Sequence, residues 1–263
     1  MAKSSLRLNG DIEAPSTGGG GWGQYVSLAA GAAAWEVGGR MLGSARLPPF
    51  SSVLESAAQM AWRGDLLAPL AASLGSLAVG FLAAAAIGVL AGALMARSYV
   101  VEHLVDVYFD AFMASPVLVY VPVLFALFGV TRTSQVAVVF TYAFFIIAAT
   151  THAGIRDADP RLGEMARAFG ASERQIFWSV ALPAALPTLL TGLRLGMARA
   201  VKGMVVGEMV IALSGLGAAL KGFGARFDIE GTLAVLLVIL LVSIGCSTLV
   251  RALGRRLVSG RAA

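Results

Sequence analysis

Residues with the chemistry for catalysis or metal binding are few in this chain. His103, Asp106 and Asp110 share the i, i+3, i+7 spacing of one helical face, and His152 is the only other histidine. A metal site needs several converging ligands, and the two histidines lie on different segments. No nucleophile-elbow or His-Glu-x-x-His pattern occurs. We therefore predict no catalytic residues and no metal site, and we expect these side chains to lie at a solvated helix end.

A phosphate-binding loop is also missing from the sequence. The pattern G-x-x-x-x-G-K-[ST] does not occur, and none of the three lysines, Lys3, Lys202 and Lys221, follows such a glycine pattern. Any ATP that drives this protein must be bound by another polypeptide, so we expect no cofactor in this chain. The single cysteine, Cys246, lies in an apolar stretch and is expected to be a packing residue.

The composition is that of an all-α integral membrane protein. Of the 263 residues, 58% are hydrophobic and 13% are charged, whereas soluble domains carry about 25% charged residues. Long uncharged stretches predict six transmembrane helices, since roughly 20 helical residues cross a bilayer. We place them in one transmembrane domain over residues 25–263, at residues 25–42, 70–96, 106–129, 133–154, 187–212 and 231–250.

The basic residues predict how the helices are oriented. With six spans both termini lie on one side, which holds eleven lysines and arginines against six on the other. The more basic side belongs in the cytoplasm. We expect both termini and the segment between the fourth and fifth spans to be cytoplasmic. Residues 1–24 are polar and glycine-rich and are expected to be a disordered tail, without a cleaved signal peptide.

The fifth predicted span carries charges in the middle of apolar sequence. Arg199 and Lys202 lie at i and i+3, and Glu208 lies roughly opposite Arg199. Charges inside a membrane span are functional candidates, so we predict that these three residues line or gate a transport pathway. The alternative is that they lie near lipid headgroups, pair with one another or extend to the membrane surface.

Small residues recur every four positions along two of the spans, a spacing that lets helices approach closely in a bilayer. They are Gly80, Ala84, Gly88 and Gly92 in the second span, and Gly192, Gly196 and Ala200 in the fifth. We expect the first set to pack helices within the bundle. The second set is a candidate for a contact between subunits.

A charged stretch between the fourth and fifth spans predicts a short helix followed by a corner. Asp159 and then Pro160 are typical of a helix start, and Gly170 can take the left-handed conformation that ends a helix. Apolar residues lie at the spacing of one helical face between these points: Leu162, Met165, Ala166 and Phe169.

A second short helix is predicted to follow the corner. Ser172 and Gln175 have the spacing of a capping box, and Pro183 and Pro187 are expected to end the helix. One interpretation is a connector that rests on lipid. A DNA-reading helix-turn-helix has a similar outline, but apolar spans begin within a few residues on both sides. We therefore expect no nucleic-acid partner.

The same stretch resembles the EAA loop of ABC importer permeases. That motif runs EAA, three residues, Gly, nine residues, I-x-LP, and the sequence EMARAFGASERQIFWSVALP keeps every gap. Met165 and Val180 are mild departures from the motif. Further resemblance, to the nitrate, sulfonate and taurine permeases, covers most of the chain beyond residue 24: PPF at 48–50, DPRL at 159–162, VVGEM at 205–209 and SGLG at 214–217.

The resemblance implies the fold of a type I ABC importer permease, with the EAA loop between helices four and five as a pair of coupling helices. In this family the loop docks into a groove on a separate cytoplasmic ATPase. The residues that the resemblance assigns to ATPase coupling are Glu164, Ala166, Arg167, Gly170, Ser172, Glu173, Arg174 and Pro183. The charged members of this set are expected to make polar contacts with the ATPase.

The resemblance also implies partners and a location. They are a cytoplasmic ABC ATPase dimer that binds Mg-ATP, a second permease subunit (a homodimer, with a heterodimer as the alternative), a periplasmic or lipid-anchored solute-binding protein, and the lipid of a bacterial inner membrane. Relatives carry nitrate, taurine, sulfonates, bicarbonate and some uncharged precursors, and Arg199 and Lys202 favour a small anion. The alternative function is an ion-coupled secondary transporter, against which the lack of a visible inverted repeat counts.

Overall fold

The computed structural model describes residues 22–43, 46–211 and 213–259, and within these ranges it contains helices and no strand. The predicted disordered tail, residues 1–24, lies outside the described residues except for its last three, which begin the first helix. The helices are α1 (Trp22–Leu42), α2 (Phe50–Trp62), α3 (Leu67–Arg97), α4 (Tyr99–Ala114), α5 (Val121–Phe128), α6 (Arg132–Arg156), α7 (Pro160–Ala168), α8 (Glu173–Ile176), α9 (Leu182–Ile211), α10 (Leu216–Ala225) and α11 (Ile229–Ser259).

The described part of the chain divides into two compact units, with the boundary between Ser52 and Val53. In the first unit, α1 is tied to the turn that follows it. The indole of Trp35 donates a hydrogen bond to the carbonyl of Pro48 (3.1 Å), and Glu36 accepts hydrogen bonds from the backbone and side chain of Ser51. Glu36 also pairs with Arg40 one turn later. The two charged residues of α1, Glu36 and Arg40, therefore bond locally.

The core of the second unit is formed by α3, α6 and α9. Ala84, Ala143, Ile147 and Ala200 are completely buried in it. Small residues on both α3 and α9 lie against α6: a Cβ on Gly88 would meet Ile147, as would a Cβ on Gly196. The stripe on α9, a candidate for a contact between subunits, is thus used inside the bundle, because α6 occupies the groove that the glycines create.

The helices that are long and apolar enough to cross a membrane are fewer than the six predicted. The described residues contain four, at Leu67–Arg97, Arg132–Arg156, Glu173–Ile211 and Ile229–Arg256, or five if one bent pair counts as a span. Helix α1 does form, close to the predicted residues 25–42, but it falls outside this set. Its sequence includes Glu36 and Arg40, which lower its mean hydropathy.

The third predicted span is two helices rather than one. Residues 106–129 were predicted as a single crossing, but α4 and the helical segment Val117–Phe128 meet at 103°. Ser115 adopts an extended conformation with ψ 142°, as the proline ring of residue 116 requires of the residue before it. A count of uncharged residues cannot detect this bend, because both arms of the bend are equally apolar.

The prolines at positions 183 and 187 do not end a helix. Residues Glu173–Ile211 form one continuous helical stretch, in which Phe177–Ala181 is a π-helical turn and Pro187 lies inside α9. Proline lacks an N–H donor and collides with the carbonyl four residues before it. A wider turn immediately before Pro183 relieves that conflict locally, so the helix continues instead of breaking.

Candidate functional site: the EAA loop and helix α9

The EAA loop, residues 159–183, begins with the predicted caps. The Asp159 side chain accepts a hydrogen bond from the backbone N–H of Arg161 (2.9 Å), which starts α7. Ser172 and Gln175 form a reciprocal capping box at the start of α8. Both predictions are confirmed, because capping depends on residues only two or three positions apart in sequence.

The corner between α7 and α8 is held by backbone conformation and by one ion pair. Gly170 has a φ of +83°, the left-handed conformation predicted for it. Arg167 donates to both carboxylate oxygens of Glu173, at 2.7 and 3.1 Å. This bond to the Glu173 carboxylate raises the pKa of Arg167 above its usual value. A bidentate pair restrains both the distance and the relative orientation of its two side chains, so this pair connects the end of α7 to the start of α8.

The loop is anchored to the bundle by apolar contacts at its α8 end. Ile176 is buried beneath α7, where a Cβ on Gly163 would lie 3.7 Å from it. Phe177 packs in a cluster that includes Ile155, Ala185 and Leu189, and its ring lies 5.8 Å from the guanidinium of Arg97 at the end of α3. The loop is therefore a structured extension of the bundle.

The predicted apolar face of α7 is exposed. Phe169 is 86% exposed and Met165 is 56% exposed, while Ala166 is half-buried. A shallow cavity of about 430 Å³ opens beside Phe169, with Gln175 and Ser179 among its lining residues. Exposed apolar side chains next to a concavity are typical of protein-interaction surfaces. The sequence indicated this face by its spacing, but it did not indicate that the bundle leaves it uncovered.

The charged coupling residues divide into two groups. Arg167 and Glu173 bond to each other, whereas Glu164 and Arg174 are exposed and have no hydrogen bond or ion pair within the described part of the chain. Polar contact with a partner was predicted for all four residues. The structure places only Glu164 and Arg174 in a position to make it without breaking an existing bond.

The three charged residues predicted for a pathway do not share one face of α9. Arg199 and Lys202 are exposed. Lys202 lines a groove of about 620 Å³ between α6, α9 and α11, whose other polar lining residues are Tyr142 and Ser243. Neither basic residue has a hydrogen bond or ion pair to any residue that the structure describes. Because Leu240 of the groove lies near the middle of α11, the groove is at mid-height in the bundle.

Glu208, in contrast, points into the bundle and is 1% exposed. Its Oε2 accepts hydrogen bonds from the hydroxyl of Ser73 (2.8 Å) and the backbone N–H of Gly217 (2.9 Å). The sequence marked Glu208 as an intramembrane charge, but its partner Ser73 is 135 residues away and could not be identified from spacing.

His103 and His152 lie in two separate environments. His103 stacks on Tyr99, with ring centroids 4.4 Å apart. His152 lies 3.4 Å from Glu102, which also pairs with Arg156 and joins α4 to α6. His152 is thus partly buried and not on a solvated helix end as predicted. No group of three or more metal-ligating side chains converges within the described ranges.

Comparison with known proteins gives a consistent result. The profile of the family described as "Binding-protein-dependent transport system inner membrane component" matches residues 84–259. The chain is 32% identical to the taurine transport system permease protein TauC of Escherichia coli K12 over 216 residues, 80% of this chain and 78% of that protein. It is 30% identical to the putative aliphatic sulfonates transport permease protein SsuC of Bacillus subtilis over 231 residues, 87% of this chain and 84% of that protein.

A solved structure has the same fold. The inward-facing MetNI methionine ABC transporter superposes with a TM-score of 0.60 at 21% sequence identity, covering 72% of this chain and 92% of the matched chain. At this identity the match concerns the arrangement of helices.

Proposed function

The chain belongs to the binding-protein-dependent transport system inner membrane component family and is the permease component of an ABC importer; from this premise we propose that its EAA loop couples it to an ATPase and that its cargo is a small anion. The observation that carries the proposal is the continuous helix from Glu173 to Ile211. This helix begins inside the EAA loop, next to the exposed apolar face of α7. Further along it runs through the bundle and carries Lys202, which lines the charged groove.

The proposed ATPase contact is centred on Phe169 and Met165. An apolar side chain that is 86% exposed in the free subunit gains most of its stabilisation when a partner covers it. Glu164 and Arg174 are exposed, so they can pair with charges on the rim of the partner's groove. The Arg167–Glu173 pair keeps α7 and α8 at a constant angle. A displacement of α7 by the ATPase is then passed to α9 rather than absorbed at Gly170.

The proposal of an anionic cargo rests on the basic residues of α9 that have no ion pair within the described residues. Lys202 lies at mid-height in a groove lined mainly by apolar side chains, where an uncompensated cation is costly. An anionic cargo would supply the missing partner, with the hydroxyl groups of Tyr142 and Ser243 as further hydrogen-bond donors. Relatives that transport taurine and aliphatic sulfonates support a sulfonate, and nitrate and bicarbonate share its negative charge.

The assembly proposed around this subunit has three further components. A dimeric ATPase binds Mg-ATP and occupies the EAA loop, a second copy of this chain completes the pathway, and a solute-binding protein delivers cargo at the opposite end. A heterodimer of two different permeases is the other possible arrangement. In this assembly the EAA loop and both termini are cytoplasmic, in a bacterial inner membrane.

The ATPase contact is tested by substituting Phe169 with serine. We expect Phe169→Ser to lower the amount of ATPase that co-purifies with the permease by tenfold or more, since burial of a phenylalanine contributes about 1.5–3 kcal/mol. Yield and thermal stability of the permease alone are expected to be unchanged, because the side chain contacts little within the subunit.

The matched control is Phe227→Ser. Phe227 is 89% exposed but lies between α10 and α11, away from the EAA loop, so ATPase co-purification should be unaffected. Equal co-purification of the wild type and Phe169→Ser would show that the apolar face is not the docking surface.

A further inference from the structure

Helix α10 begins without a cap of its own. Its N-cap residue is Gly215, which has no side chain to accept from the first backbone N–H groups. Two residues from other helices accept instead. The N–H of Leu216 donates to the hydroxyl oxygen of Ser73 on α3 (2.8 Å), and the N–H of Gly217 donates to Oε2 of Glu208 on α9 (2.9 Å). The first turn of α10 is therefore capped by tertiary contacts.

A third hydrogen bond links the two acceptors, because the Ser73 hydroxyl donates its own proton to Glu208 Oε2 (2.8 Å). Within the described residues, the buried Oε1 of Glu208 accepts no hydrogen bond. Ser73 and Leu216 are both 0% exposed, and Glu208 is 1% exposed. A buried carboxyl group needs compensation. Here the positive end of the α10 backbone dipole provides it, since Glu208 has no salt bridge to any described residue.

The loop before α10 is shaped around this carboxyl group. Gly215 has a φ of +101°, and a Cβ there would lie 2.5 Å from Glu208 Oε1. A Cβ on Gly217 would lie 2.5 Å from the carbonyl oxygen of Val205. Both distances are too short for real atoms, so only glycine lets the backbone approach so closely. Two glycines, one serine and one glutamate thus form a single interlocking unit, which we call the α10 latch.

The latch lies at the end of α9 that is remote from the EAA loop. From Leu182 to Glu208 the helix rises by about 39 Å, at 1.5 Å per residue. The side chain of Leu216, in the first turn of α10, also packs in an apolar cluster with Val235 of α11. The helix that continues from the EAA loop at one end therefore holds α10 at the other.

We propose that Glu208 and Ser73 are positioning residues that tie α10 to α9 and α3, so that displacement of α9 by the ATPase moves α10 with it. This rests on the proposed coupling function. It gives Glu208 a role different from lining the pathway, because both donors to its Oε2 come from the protein itself.

The test compares two substitutions of nearly equal length. Glu208→Gln keeps an oxygen acceptor for Ser73 and Gly217, and Glu208→Met removes it. Ser73→Ala is the milder second variant. In purified permease we expect amide hydrogen exchange over residues 213–222 to be about tenfold faster in Glu208→Met and Ser73→Ala than in the wild type, since a capping hydrogen bond contributes to stability on that scale.

The functional measurement is taurine accumulated per ATP hydrolysed in vesicles that contain the permease, its ATPase and its binding protein. Glu208→Met and Ser73→Ala should hydrolyse ATP while accumulating severalfold less taurine, and Glu208→Gln should restore more than half of the ratio. Thr141→Ala is the control, because among the residues that the structure describes the Thr141 hydroxyl bonds to Ala137 of its own helix alone. It should match the wild type in both measurements.

Two outcomes would overturn the inference. In one, exchange and the transport ratio in Glu208→Met and Ser73→Ala equal those of the wild type. In the other, Glu208→Gln fails as completely as Glu208→Met, which would show that the negative charge is required rather than the cap. Wild-type vesicles in which taurine accumulation is independent of ATP would contradict the coupling function itself, and the exchange data would still decide whether the latch exists.

Discussion

At the scale of single residues, the EAA loop depends on a backbone conformation that few residue types can adopt. Gly170 is an example, because its φ is +83° but no atom lies within 4 Å of the position of a Cβ. Position 170 therefore requires glycine because of its backbone conformation, and not because a Cβ would collide with a neighbour. This separates Gly170 from Gly215, where both the conformation and the proximity of Glu208 exclude a side chain.

Substitution of Gly170 by valine should damage coupling more than substitution by asparagine. A left-handed conformation costs an ordinary residue about 1–2 kcal/mol, and more for a β-branched one, whereas asparagine tolerates it. We expect Gly170→Val to reduce ATPase co-purification and taurine uptake severalfold, and Gly170→Asn to retain most of both.

The readout for this pair is co-purification followed by uptake in vesicles, with permease abundance measured in the same samples. Full activity of Gly170→Val would show that the corner between α7 and α8 is not needed for coupling.

Local residue patterns explain why this part of the site could be predicted from sequence. The Asp159 cap and the Ser172–Gln175 box each involve residues within three positions of one another, and the corner was predicted from the conformation open to Gly170 itself. The Ser73–Glu208 bond could not be predicted, because a buried glutamate in an apolar helix gives no indication of which distant hydroxyl group faces it. The exposure of Phe169 could not be predicted either, since it depends on which surfaces the rest of the bundle leaves uncovered.

At the scale of helices, α9 presents different chemistry on its different sides. Its glycines face α6, Glu208 faces α3 and α10, and Arg199 and Lys202 are exposed. The three charges were predicted to act together. The structure separates them, because Arg199 and Lys202 are exposed and the carboxyl group of Glu208 is buried. For the exposed pair the pathway role remains a prediction.

Removal of the Lys202 charge should weaken anion transport specifically. We expect Lys202→Met to lower taurine uptake about tenfold, because a hydrogen bond to a charged group contributes about 1.5–3 kcal/mol. Lys202→Arg should keep a substantial fraction of the uptake. Stimulation of ATP hydrolysis by the loaded binding protein should persist, since the EAA loop is unchanged.

Arg194→Met is the matched control for this prediction. Arg194 is also exposed on α9, but it does not line the groove that contains Lys202, so its loss should leave uptake near the wild-type rate. Normal uptake by Lys202→Met would exclude the groove as an anion contact.

The helix boundaries show where a hydropathy pattern succeeds and where it fails. Helices α3 and α6 lie close to the spans predicted at 70–96 and 133–154, because each span is one uninterrupted apolar run. Helix α11 starts close to the span predicted at 231–250 but continues to Ser259, past the arginines that were used to end it. The bend at Pro116 and the continuous helix through Pro183 both depend on how a single proline is accommodated. Sequence alone does not specify whether the surrounding turn bends or widens.

At the scale of the whole molecule, the proposed coupling joins the two ends of one helix. In this proposal the EAA loop receives a displacement, α9 carries it through the core shared with α3 and α6, and the α10 latch extends it to the far end of α9. In the proposed function, energy enters from a separate ATPase. The permease family, the capped loop and the unpaired groove charge all agree with this division of labour.

The most direct test of this account is taurine accumulation in sealed vesicles that contain the permease and its ATPase, with binding protein on one side and ATP on the other. We predict accumulation against a gradient only when ATP and a hydrolysis-competent ATPase are both present, with complete loss when the ATPase is omitted. Accumulation by the permease alone, driven by a proton or sodium gradient, would contradict the account and identify the protein as an ion-coupled transporter.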